Sequence, residues 1–113
     1  MENCLFCKIL AGEIPAKVAY EDEDIFCFHD INPGAPVHVL VIPRTHIGSA
    51  DEVTEENSGV VAHIFATLPK IAKSLGLTNG YRVITNCGAD ACQSVKHLHF
   101  HLMGGTQLGE KMG

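Results

Sequence analysis

The segment Lys96-His97-Leu98-His99-Phe100-His101-Leu102-Met103 sets histidine at every second position with apolar residues between. A β-strand turns residues i, i+2 and i+4 to one face, so the three imidazoles share one side and Leu98, Phe100 and Leu102 the other. A helix would scatter the histidines and leave no apolar face. The pattern predicts a strand over 96–103 that packs on a core with one face and carries chemistry on the other. Three structural histidines on such a face are costly, because each neutral ring needs both a donor and an acceptor partner. Two chemistries fit the trio: metal ligation of the His-x-His type, or imidazoles that attack and hold a phosphate.

Upstream, residues 4–11 predict a short helix closed by Gly12. Strands are expected at 17–20 and 25–29, joined by the acidic run Glu21-Asp22-Glu23-Asp24 as a hairpin turn of solvated charges. After the turn-forming Asn32-Pro33-Gly34-Ala35-Pro36 comes a β-branched strand, Val37 to Ile42, ended by Pro43. Val61, Ile64, Phe65, Leu68, Ile71, Ala72 and Leu75 recur at helical steps, predicting one long helix from Glu55 to Leu75 with Thr54 as N-cap and Gly76 as stop. Pro69 lies inside it and predicts a kink or break. A strand from Tyr81 to Asn86 and a Gly-containing loop, 86–94, then lead to the histidines. The expected class is α+β, an antiparallel sheet of about five strands with one long helix and one short N-terminal helix.

The 113 residues suit a single domain, 1–113. A 46% hydrophobic composition points to an interface between copies, and hence a homodimer. The net charge of −5 argues against a nucleic acid polymer as partner, since that needs a basic footprint. Backbone amides and imidazoles still suffice to hold one phosphate. No apolar run reaches the ~20 residues of a membrane span, and Met1-Glu2-Asn3-Cys4 does not read as a signal peptide, so the expected setting is cytoplasmic and away from membranes. Five cysteines, odd in number and unevenly spaced, read poorly as disulfides. Cys27, Cys87 and Cys92 are expected to be small buried hydrophobes, and His29 and His63 to serve surface or helix packing. Cys4-Leu5-Phe6-Cys7 supplies half of a tetrahedral metal site.

His97-Leu98-His99-Phe100-His101-Leu102-Met103 resembles the signature of the histidine-triad (HIT) nucleotide hydrolases and transferases. The likeness continues through Phe28-His29-Asp30-Ile31-Asn32-Pro33, Ala35-Pro36-Val37-His38, Ile42-Pro43-Arg44-Thr45-His46-Ile47, Asn86-Cys87-Gly88 and Gln93-Ser94-Val95. It spans nearly the whole chain, in order, and is nearest to the small dimeric branch that includes purine nucleoside phosphoramidases.

The resemblance implies a HIT-like fold and a purine nucleotide partner, with AMP or GMP as its moiety. His99 would attack the α-phosphorus, a role suited to an imidazole whose unperturbed pKa is near ~6.5. His101, Ser94, Asn86 and the amides of the 87–94 loop would cradle the phosphate, with Cys92 and Gln93 in that loop. Asp30 would accept the ribose hydroxyls, His38 would support the triad, and Phe6, Ile9, Phe28 and Ile31 would form the purine slot. Some wider-family members complete a Cys-x2-Cys motif with two histidines, here His46 and His97, which implies a structural zinc on Cys4, Cys7, His46 and His97 and no catalytic cofactor. Two departures stand out: Ala91-Cys92 where relatives commonly carry Gly-Gly, and the tail Leu108-Gly109-Glu110-Lys111-Met112-Gly113 in place of Trp-Pro-Pro-Gly. Dinucleoside polyphosphate hydrolysis or nucleotidyl transfer is the alternative within enzymes. A nucleotide-binding regulatory protein is the alternative of another class.

Overall fold

The computed structural model describes residues 3–112. Five strands, β1 (Val18–Glu21), β2 (Ile25–His29), β3 (Val37–Pro43), β4 (Arg82–Ile84) and β5 (Phe100–Gly104), form one antiparallel sheet in the order β1-β2-β3-β5-β4. Two helices, α1 (Leu5–Leu10) and α2 (Gly59–Ser74), accompany it. Strand parity sorts the side chains: Ile25, Cys27, Val39, Val41, Phe100 and Leu102 join Ile64, Leu68 and Ile71 of α2 in one buried cluster. Phe26, Phe28, Leu40 and Ile42 take the opposite parity and bury against Cys4 and Phe6 at the N-terminal helix. Both faces are thus covered, which explains why β2 and β3 read as nearly continuous apolar runs. Across the α1 face, register sets Phe28 beside Leu40, Leu40 beside His101, and His101 beside Ile84.

The long helix stops where expected but starts four residues later than the expected Glu55. Thr54 and Asn57 cap reciprocally: each amide donates to the other's side-chain oxygen, at 2.6 and 3.3 Å. A turn at 55–58 precedes the regular helix, which therefore begins at Gly59. At the far end Gly76 has φ +78°, and the amides of Gly76 and Leu77 donate to the carbonyls of Lys73 and Ala72. That pair of bonds is a Schellman motif, for which glycine is suited by its freedom at positive φ. The expected break at Pro69 is absent, and the helix runs through it. Pro69 removes the amide that would bond the Phe65 carbonyl, but both residues are exposed, so the freed carbonyl is not sealed in the core.

Two other expectations are corrected. Regular pairing in the histidine segment starts only at Phe100, because the preceding residues are held from outside the ladder. The Leu98 amide donates to the Ile47 carbonyl at 2.6 Å, and Thr85 Oγ1 donates to the His99 carbonyl at 2.8 Å. The alternation of faces survives nonetheless, with Leu98, Phe100 and Leu102 in the α2-side core. The acidic turn is not simply solvated either. Asp22 Oδ1 accepts from the Asp24 and Ile25 amides and Oδ2 from Tyr20 and His63, tying the β1–β2 turn to α2. Burial works against ionisation of Asp22, yet the His63, backbone and Tyr20 donors hold its carboxyl well below the usual range. Among the described residues, no helix is long and apolar enough to cross a membrane.

Candidate active site and metal cluster

Hydrogen-bond partners assign the tautomers of all three histidines. His99 Nδ1 lies 2.7 Å from the His97 carbonyl, an acceptor only, so Nδ1 carries the proton and Nε2 the lone pair. His97 Nε2 likewise donates to the Pro43 carbonyl at 2.9 Å, leaving Nδ1 as its lone-pair nitrogen. For His101 the assignment passes through His38. The Gly34 amide donates to His38 Nδ1 at 2.9 Å, so His38 carries its proton on Nε2 and donates it to His101 Nδ1 at 2.9 Å. His101 is then an Nε2–H donor. Burial pushes the His101 imidazole down to about 4, helped by His99 and His38 and opposed by Asp30. Burial also lowers His38, again opposed by Asp30. Both are therefore neutral at pH 7.

These rings border a cavity of about 720 Å³ on the α1 face of the sheet. His99, His101 and Ser94 are among its lining residues. Phe6, Ile9 and Phe28 contribute apolar walls and Asp30 a carboxylate. Phe6 packs edge-on against His99 at 5.1 Å, Phe28 at 5.4 Å and His97 at 6.0 Å between ring centroids. Ile31 is 92% exposed, forming rim rather than wall. Asp30 Oδ1 accepts from the Asn32 amide at 2.8 Å, and Oδ2 lies 3.4 Å from His38 Nε2.

The loop after β4 braces itself. Asn86 Nδ2 donates to the Ala91 carbonyl at 2.9 Å. Gln93 Oε1 accepts from the Gly88 amide, while its Nε2 donates to the carbonyls of Gly48 and Val95. Neither Asn86 nor Gln93 lines the cavity, and the amides of Gly88, Cys92 and Gln93 are already engaged within the loop. Cys92 takes φ +58°, the left-handed region that favours glycine. Cys87 and Cys92 are exposed, correcting their expected burial, because the loop stands clear of both cores; Cys27 is buried as expected.

Cys4, Cys7, His46 and His97 converge at the start of α1. Their sulfur and nitrogen atoms all lie within 4.8 Å of one another. His46 Nδ1 and His97 Nδ1 are 3.2 Å apart; Cys4 Sγ to His97, Cys7 Sγ to His46 and Cys7 Sγ to His97 measure 3.3, 3.3 and 3.5 Å. A zinc tetrahedron with legs of ~2.3 Å to sulfur and ~2.0–2.1 Å to nitrogen has edges of roughly 3.3 Å between nitrogens and roughly 3.6 Å between nitrogen and sulfur. The donor set and its spacing fit a metal ion of that kind. Burial, then Cys4, pushes the Cys7 thiol up to about 11.

A family profile described as "Scavenger mRNA decapping enzyme C-term binding" matches residues 3–113. Protein HitA of Neisseria gonorrhoeae is 46% identical over 104 residues, which cover 92% of this chain and 97% of that protein. A HIT family hydrolase from Clostridium thermocellum superposes with a TM-score of 0.95 at 49% identity, over 99% of this chain and 98% of that one. A histidine triad protein from Clostridium difficile gives 0.94 at 44%, over 98% and 97%. The chain belongs to the histidine-triad family. Within this histidine-triad protein, Leu5 and Leu40 also line the cavity and were missed from sequence. Leu40 had a signal, since it shares strand parity with His38; Leu5 had none beyond its neighbour Phe6. His63 proves to be the partner of Asp22, at 2.7 Å.

Proposed function

We propose that this protein hydrolyses purine nucleoside phosphoramidates or adenylylated small molecules through a nucleotidyl-histidine intermediate. The observation that carries the reading is the His99 tautomer: Nδ1 donates to the His97 carbonyl, which leaves an Nε2 lone pair on a ring that borders the cavity. The apolar walls accept a purine and Asp30 the ribose hydroxyls. His99 Nε2 attacks the α-phosphorus as the phosphorus–nitrogen bond breaks, and the departing amine takes a proton with the help of Ser94. His101, held as an Nε2–H donor by His38, stabilises the charge on the phosphate oxygens. Water then attacks the phosphorus as the Nε2–phosphorus bond breaks; the ring, which keeps its Nδ1 proton, leaves as neutral imidazole, and the proton of the water passes to solvent.

Zinc on Cys4, Cys7, His46 and His97 would supply structural cross-linking without entering the reaction. The working unit is a homodimer: β4 ends the sheet, and Phe65 on α2 is exposed, two features a second copy would cover. The deciding experiment incubates the protein with a labelled adenosine phosphoramidate, quenches, and maps the label by mass spectrometry. An adenylyl group on His99 is expected. His99→Ala should lose at least about a thousandfold in turnover while still binding AMP; retained turnover would sink the mechanism. Faster turnover of a dinucleoside polyphosphate would shift the substrate class while keeping the chemistry.

A further inference from the structure

We propose that Cys4, Cys7 and His46 are positioning residues for the nucleotide, so that zinc and nucleotide each raise the other's affinity; this rests on the nucleotide reading above. The two sites share residues. His97 turns Nδ1 to the metal cluster, while its backbone carbonyl accepts the Nδ1–H of His99 and so sets the nucleophile's tautomer. Phe6 stands between the two cysteines in sequence, and its ring touches both His97 and His99 as well as Phe28 of the slot.

The helix that carries Leu5, Phe6 and Ile9 into the cavity has only six residues, too few to hold itself. Its anchor is Cys4, whose sulfur accepts from the Cys7 amide at 3.3 Å and lies 3.3 Å from His97 Nδ1. With a cation at the centre, the four donors are held at their observed spacing. With the cation removed, the link that joins Cys4 and Cys7 at the start of α1 to His46 and His97 is reduced to contacts of 3.2–3.5 Å, and any loosening of it passes directly to α1 and His97. The α2-side core has none of these four residues, so the sheet and long helix do not depend on the metal. Metal loss therefore lowers the fraction of molecules with a formed slot, which weakens the apparent affinity for nucleotide in proportion. Linkage requires the reverse effect to be equal.

The test uses the full chain, zinc-loaded and chelator-stripped. AMP binding is measured by calorimetry, and zinc affinity by dye competition with and without saturating AMP. Expected is a roughly tenfold weaker AMP Kd in the stripped form, a matching tenfold tightening of zinc by AMP, and unchanged far-UV circular dichroism. Phe6→Leu should retain one zinc per chain yet shrink the coupling. Equal AMP affinity in both forms overturns the coupling and leaves the nucleotide reading standing. Absence of AMP binding to the loaded protein overturns both. Loss of the dichroism signal on stripping, or no stoichiometric zinc in the loaded protein, also overturns the coupling.

Discussion

At the scale of single residues, the chemistry depends on which nitrogen of each imidazole holds the proton, and a backbone group decides it in each chain of contacts. The Gly34 amide is the first link for His101, through His38. His38→Ala breaks that link and leaves His101 free to take the wrong tautomer; we expect kcat to fall about 10- to 100-fold with KM little changed, read from steady-state kinetics. Cys92 is the other informative residue. A side chain at φ +58° is strained by on the order of 1 kcal/mol, partly offset in any glycine variant by unfolded-chain entropy. Cys92→Gly should raise the unfolding free energy by up to about 1 kcal/mol in urea titrations. No gain would mean that Cys92 makes compensating contacts.

Among the elements, legibility followed the strength of the local pattern. β2 was readable to its ends, and β3 nearly so, because their apolar runs are bounded by turn residues, and the far end of α2 because Gly76 carries cap chemistry; its start was not, since a turn at 55–58 intervenes after Thr54. The start of β5 was not, since the Leu98 amide and the His99 carbonyl bond Ile47 and Thr85 instead of the ladder, a fact about distant segments. That Pro69 would leave the helix unbroken was not legible for a related reason: its effect depends on whether the orphaned carbonyl meets water or core. Pro69→Ala restores an amide to bond the Phe65 carbonyl and should stabilise the protein by about 1–3 kcal/mol, measured by denaturant unfolding. The loop before the triad makes the opposite case. Gln93→Ala removes three hydrogen bonds that pin it, and should cost about 1–3 kcal/mol of stability while raising KM.

For the whole molecule, pH acts through histidines buried in the neutral form. His101 falls from an unfolded value near ~6.5 to about 4, so between those limits the unfolded chain binds more protons than the native one. Stability is then complete above about pH 6.5 and declines as pH drops toward 4, with His38 adding in the same direction. Asp22, held well below the ordinary carboxylate range, keeps its contribution until more acidic pH. Thermal melts from pH 7.5 to 4 should show the decline, and His101→Asn should flatten it. A flat profile in the parent chain would contradict neutral burial.

Periodicity alone determined the strand parity, the long helix and the face on which the histidines would stand, because these depend on geometry within a few consecutive residues. Only the fold could bring Pro43, Gly34 and Ile47 to the triad, or close Cys4 and Cys7 onto His46 and His97 across ninety residues of chain. Tautomers and metal-ligand spacing are set by such distant partners, and no local pattern encodes them.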